Sequence, residues 1–453
     1  MDIKRSILIV ALAVVSYMMV LQWNQDYGQA DLPTQNVTVN STPNSADLPD
    51  TPVATTGNHD DIPSTNSEQL KPDTSAIANS NELIRVKTDV LDLAIDPRGG
   101  DVVQLTLPQY PRRQDRPDVP FQLFDNGGER IYLAQSGLIG SNAPDKSSGR
   151  ALWNSAQKNY QLAEGQNELV VDLTLNEGGI NYIKRFSFKR GLNPECSAKE
   201  QMLKKPGCID PSSYQVDVKY LIDNQSSEAW SGSMFAQLKR DNSDDPSKTT
   251  ATSTATYLGA AMATPESNYQ KVSMKDIDKQ PVKETVNGGW VAWLQHYFVT
   301  AWIPDQNNSN VIQTRKDSQG NYIVGYTSPS VSIAAGSKGE IGATLYAGPK
   351  IQKHLGSLAP GLELTVDYGI LWFIAQPIFW LLEHIHSLLG NWGWSIIVLT
   401  CIIKLIFFPL SAASYKSMAR MRAVAPKMAA LKEQFGDDRQ KMSQGMMELY
   451  KKE

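Results

Sequence analysis

Apolar and polar positions change rhythm several times along the chain. Ser6 to Trp23 is an uncharged run, near the lower length limit for a helix that spans a bilayer. Residues 24–82 hold almost no large apolar side chains. From Leu83 to Gly348, short stretches alternate apolar and polar with period two, the pattern of half-buried strands. Val90, Leu91, Leu93 and Ile95 form one run. Val102, Val103, Leu105 and Leu107 form the next, across a turn at Pro97-Arg98-Gly99-Gly100. Further strands are predicted at 168–175, 181–190, 214–223, 233–240, 297–304, 310–315, 321–328 and 341–348. Many short strands joined by Gly, Asn and Ser turns predict a large all-β sandwich over 83–348, of about 265 residues and able to bury its own core.

Beyond Gly348 the period lengthens. Residues 349–390 read as a short helix, a Pro360-Gly361 break and an aromatic-aliphatic helix over 370–389. Residues 391–410, NWGWSIIVLTCIIKLIFFPL, are long and apolar enough to cross a membrane. Residues 411–453 read as a helical hairpin, one arm from about Ala412 to Gln434 with a kink at Pro426. Gly436 breaks the pattern, and Asp437 or Asp438 caps the second arm. The chain stops in mid-pattern without a stop signal, as a fragment of a longer protein would. The methionines of this tail (Met418, Met421, Met428, Met442, Met446 and Met447) fill a hairpin seam more often than they make a binding surface.

Charge sets the topology. Lys4 and Arg5 precede the first apolar run, so residues 1–5 stay in the cytoplasm and the segment after residue 23 is sent outward. An uncleaved signal anchor over 6–23 is favoured over a cleaved signal peptide, because the only small-x-small site, Gly28-Gln29-Ala30, lies well beyond Leu21. Residues 24–82, rich in Pro, Ser, Thr, Asn and Asp with Lys71 as the sole basic residue before Asn81, cannot offset their ordering entropy and read as a disordered tether. The tail after Leu410 has nine Lys or Arg against five acidic residues and belongs in the cytoplasm. With the sandwich outside, 391–410 is then the span, and 370–389 lies in the outer interface as an amphipathic helix.

Composition removes several classes of function. The net charge of −4 gives no sign of nucleic-acid binding. Three cysteines and five scattered histidines form no metal-type cluster. His384 and His386, two apart on a helix, point in different directions. Cys196 and Cys208 are a candidate disulfide if their segment is outside the cytoplasm, stapling a surface excursion. No phosphate-binding Gly-rich motif is present, and no cofactor is implied.

Lys404 is the unexpected charge. It lies about 18 Å along a helix counted from Trp392, just past the midplane of a hydrocarbon core about 30 Å thick. A central lysine costs roughly 3 kcal/mol. From position alone, snorkelling to the inner interface and facing a wet cavity both stand. Thr400, four residues before it, and Ser411, seven after, share its face. That polar stripe favours a cavity or a polar partner helix. Cys401 sits off the stripe as a small filler.

The order of these segments, with DLAIDPRGGDVVQLTLPQYP, LAEGQNEL, GGWVAWLQHYFVTAWIP, LTVDYGILWFIAQPIF, NWGWSIIVLTCIIKLIFFPLSAASYKSMARMR and FGDDRQKMSQGMMELYKKE, closely resembles the YidC family of bacterial inner-membrane insertases, in its Gram-negative form. The resemblance runs end to end. It implies a multi-pass inner-membrane protein with a periplasmic β-supersandwich similar to galactose mutarotase folds. It implies an aromatic helix on the periplasmic membrane surface, a second span and a cytoplasmic hairpin needed for insertion. Lys404 and Thr400 map onto the family's hydrophilic intramembrane groove, which eases hydrophilic segments of a substrate partway into the bilayer. Implied partners are nascent inner-membrane proteins, Sec translocon components, the ribosome through the hairpin, and lipids. Two departures stand out: the groove cation is usually arginine, and the family has further spans after the hairpin; the Cys196–Cys208 excursion also looks like an insertion.

A different class is a membrane-anchored periplasmic carbohydrate-binding or mutarotase-like protein. That chemistry needs a carboxylate and a histidine in one cleft, and His296 is the only histidine in mid-sandwich. A purely structural anchor would leave the polar stripe without a purpose.

Overall fold

The computed structural model describes residues 82–191 apart from 114, 128, 129, 141, 147 and 148, then 210–244, 257–435 and 439–452. The expected anchor 6–23, the tether up to 81, the Cys196–Cys208 pair and the break at Gly436, Asp437 and Asp438 lie outside the described residues.

Two large sheets face one another. The first has eleven strands. Its path runs Lys283–Asn287, Ser309–Lys316, Tyr322–Thr327, Trp230–Arg240, Tyr132–Ile139, Asp101–Arg113, Asp92–Asp96, Ile84–Lys87 and Asn159–Gln161, with Val331–Ile333 and Arg116–Phe124 pairing off it. The second has nine: Gln270–Val272, Gly259–Met262, Val291–Leu294, Phe298–Pro304, Lys338–Pro349, Gln215–Asn224, Ile180–Lys189, Glu168–Glu177 and Asn154–Ser155. Neighbours are antiparallel except Ile84–Lys87 with Asn159–Gln161. Period-two alternation turns Ile180, Tyr182, Phe186 and Phe188 inward from one strand, and Val216, Val218, Tyr220 and Ile222 from the next. Trp153, Trp230, Trp290, Trp293 and Trp302 are all buried among them, and each aromatic of this size removes about 150–250 Å² from water by the usual measure.

All the strands predicted from alternation are present, most with ends within three residues of the prediction, while the Val102–Leu107 run extends to Arg113. Tyr132–Ile139 is a strand that alternation does not predict. It is buried along its whole length and carries Gln135, Ser136 and Gly137 in its middle, so it has no alternation to read. Gly259–Met262, with sequence GAAM, lacks β-branched residues altogether.

Polar side chains cross the core between the sheets. Lys184 takes its turn on the inward face of Ile180–Lys189, fully buried, and its Nζ donates to Gly99 O at 2.9 Å and Ser136 O at 3.0 Å. Arg150 Nη2 donates to Asp101 Oδ1 at 2.6 Å and Ser136 O at 2.8 Å. The predicted Pro97-Gly100 turn forms the seat. Gly99 has φ +75°, and a Cβ on it would sit 2.5 Å from Arg150 Nε.

The packed unit continues past Gly348, where the sequence pattern ends the sandwich. Helices α1 (Met274–Lys279) and α2 (Gln352–Leu358) and a 3-10 turn at Leu362–Thr365 follow the strands or lie between them. Leu355, Ala359 and Leu362 join the same core, and Trp290 Nε1 donates to Pro360 O at 3.0 Å. Then come α3 (Trp372–Leu389), α4 (Trp392–Phe435) and α5 (Arg439–Lys452). The expected boundary between a span and a hairpin arm at Leu410–Ser411 is not a break. One helix of 44 residues crosses it with Pro409 and Pro426 inside.

Candidate functional site

The site is built on α3 and α4. Along α3 only Ile385 is buried, while Trp372, Phe373, Ile374, Trp380 and Leu388 are exposed. A helix ends where the chain can turn left-handed without a side-chain clash. Gly390 does so at φ 64°, its N–H reaching His386 O at 2.8 Å. Asn391 then opens α4, its Oδ1 accepting from the N–H groups of Gly393 at 2.8 Å and Trp394 at 3.2 Å, as an N-cap does. The His386 ring stacks on Trp392 with centroids 3.8 Å apart. His384 Nδ1 donates to Trp380 O at 2.8 Å. The two histidines therefore serve separate contacts.

This turn folds α4 back against α3 and fixes which face of α4 is covered. Ser395 and Leu399 are buried, and Val398, Ile402 and Ile403 are half-buried. Thr400, Lys404 and Ser411 are exposed. At 3.6 residues per turn they stand roughly 140°, 180° and 160° around the helix from Ser395, on the side away from α3. Thr400 Oγ1 donates to Ile396 O at 2.7 Å, which leaves the oxygen lone pairs facing outward. The Lys404 ammonium offers three donors beside it. The stripe can accept from, donate to and neutralise acidic or polar groups laid along it. Cys401, expected as a filler, is exposed, because nothing packs on that flank of α4 among the described residues.

The tail carries both methionine readings. Met428, Met442 and Met446 are half-buried and Val424 is buried where α4 and α5 pack, while Met418, Met421 and Met447 are exposed. His296 lies in the turn between Val291–Leu294 and Phe298–Pro304, with its ring against Tyr297. Among the described residues no group of three or more His, Cys, Asp or Glu is placed to hold a metal ion. The buried charges Lys184, Arg150, Asp101 and Asp317 do not stand out in the sequence. The one available signal is alternation, which puts Lys184 in register with Tyr182 and Phe186.

Two family models divide the chain between them. The YidC periplasmic domain matches residues 83–192 and 197–381, and the 60Kd inner membrane protein matches 384–453. The membrane protein insertase YidC of Ectopseudomonas mendocina is 75% identical over all of this chain and 78% of its own length. That of Pseudomonas aeruginosa (strain LESB58) is 68% identical, again over all of this chain and 78% of its own. Among solved structures, a galactose mutarotase-like protein from Lactobacillus casei superposes with TM-score 0.37 at 8% identity, over 58% of this chain and 99% of that one, too low to bear on function. These matches define an inner-membrane protein with a β-sandwich periplasmic domain, a non-enzymatic inserter of other membrane proteins. The chain belongs to the YidC family of membrane protein insertases. The carbohydrate-binding alternative is set aside.

Proposed function

We propose that this chain passes polar segments of inner-membrane proteins along the Thr400–Lys404 face of α4. The observation that carries the reading is the polar stripe on the otherwise apolar first half of α4, exposed among the described residues and opposite the face that packs on α3. In this reading the first part of α4 crosses the membrane, and the rest of α4 with α5 stands in the cytoplasm. Helix α3 lies in the outer interface with its exposed tryptophans at headgroup level. Residues 6–23 form a further span, making the protein multi-pass. A cation in a wet, low-dielectric groove attracts acidic residues of a substrate's translocated tail. The substrate's apolar helix then partitions into lipid. Sec translocon components, lipids and, through the basic hairpin, the ribosome are the partners this layout expects.

Photocrosslinkers placed at Thr400 and Lys404, with Leu399 on the covered face as control, test it in membranes. Nascent membrane proteins should crosslink to 400 and 404 and not to 399. Lys404→Ala should impair insertion of substrates with acidic translocated tails, and Lys404→Arg should be tolerated. Normal insertion by Lys404→Ala would remove the groove role.

A further inference from the structure

A cavity of about 1040 Å³ separates the base of the sandwich from α3, at the top of the roughly 300–1,000 Å³ range of small-molecule sites. The sandwich side contributes Gly356, Glu363 and Val366, and the helix side contributes Trp372, Pro377 and Trp380. Lys353 Nζ and Glu383 Oε2, 3.5 Å apart, bridge the two walls. Tyr368 donates to Gln352 Oε1 at 3.1 Å and its ring leans on Phe379. Glu363 Oε2 is buried there without a hydrogen-bond partner, a costly state for a carboxylate oxygen.

We infer that this cavity binds one phospholipid with a primary-amine headgroup, its ammonium on Glu363, its phosphate toward Lys353 and its upper acyl chain between Trp372 and Trp380. The inference rests on the interfacial placement of α3 proposed above. Four charged side chains line the cavity, Lys350, Lys353, Glu363 and Glu383, two of each sign. A zwitterion matches that balance, whereas an anionic headgroup would bring its charge to two carboxylates with no cation of its own. The acceptor on Glu363 needs an N–H donor. A primary ammonium carries three, whereas a quaternary one carries none and would meet the carboxylate by charge alone, with its methyl groups against the tryptophan faces. The aromatic wall suits acyl methylenes, and tryptophan rings favour the headgroup depth at which such a lipid would sit.

The test is lipid retention by the full chain, reconstituted in equal phosphatidylethanolamine and phosphatidylcholine, extracted in mild detergent and weighed intact by native mass spectrometry. One phosphatidylethanolamine should be retained about tenfold over phosphatidylcholine, as expected for one charge-assisted hydrogen bond. Glu363→Gln should abolish the preference. Val366→Trp, which puts an indole into the cavity, should reduce the retained lipid, with the melting temperature checked to show that each variant is folded. Equal retention of the two lipids, or an unchanged preference in Glu363→Gln, would overturn the inference. So would a photocrosslinker at Gln376 that captures nascent protein and no lipid. Quenching by acyl-brominated lipids, taken as the part lost in W372F/W380F, separates this from the parent reading. Quenching with no amine preference sinks the lipid site alone, and no quenching sinks the interfacial placement of α3 with it.

Discussion

Lys184 and Asp317 each hold a charge in the sandwich core, and pH should tell them apart. Burial alone would raise the Asp317 carboxyl, but hydrogen bonds from Asn321 and the Lys239 ammonium outweigh it and hold it below the usual aspartate range. Lys239 Nζ lies 3.0 Å from Asp317 Oδ2, with both side chains at most 5% exposed. The unfolded chain therefore takes up this proton first. The contribution is fully present above about pH 3.9 and fades as pH falls through the native value. Asp317→Ala should cost about 3–5 kcal/mol in urea unfolding at neutral pH, because it strands a buried ammonium. Lys184 works in the opposite range. Burial pulls its ammonium down to about 7, against the pull of Asp101. Between pH 7 and about 9 the unfolded chain then binds more protons than the native one, so stability should rise with pH. Unfolding curves of Lys184→Met over the same range should lack that rise.

At the scale of elements, the turn between α3 and α4 decides which face of α4 is free. Asn391→Ala removes the cap on the Gly393 and Trp394 N–H groups, and Gly390→Ala puts a Cβ into a left-handed backbone with open space around it. Each should cost about 1 kcal/mol. The readout is faster hydrogen exchange confined to the first turn of α4. Strands with one wet face, such as Ile180–Lys189, are legible in the sequence because their alternation is visible. Tyr132–Ile139 is not, because both its faces are covered. The stripe of Thr400 and Lys404 is legible from spacing alone. That it points away from a neighbour is not, since the covering helix is set by the Gly390 turn. Pro409 lies inside α4, which runs through it. The helix bears an unmade bond at Leu405 O more readily than a break.

Across the whole molecule, the sandwich depends on residues beyond its last strand. Leu355 and Leu362 are fully buried in its core, and Pro360 O accepts from Trp290. A chain of residues 82–348 should therefore unfold at lower urea than one of 82–366. Two lost side chains at about 1.5–3 kcal/mol each amount to about 3–6 kcal/mol. Equal midpoints would show that the α2 segment is merely docked. Alternation could not reveal this dependence, because the segment is a short helix and a 3-10 turn whose apolar residues look like those of any linker.

The uninterrupted length of α4 has a mechanical meaning. Its 44 residues make a rod about 66 Å long, more than twice the thickness of a hydrocarbon core. Such a rod is a lever. A tilt of about 10° around Trp392 sweeps Phe435 sideways by about 11 Å, with Pro409 and Pro426 as the two places where it can flex. In the reading proposed above, a load on the basic arm would tilt the Thr400–Lys404 face with it, by about 3 Å at Lys404 for the same 10°.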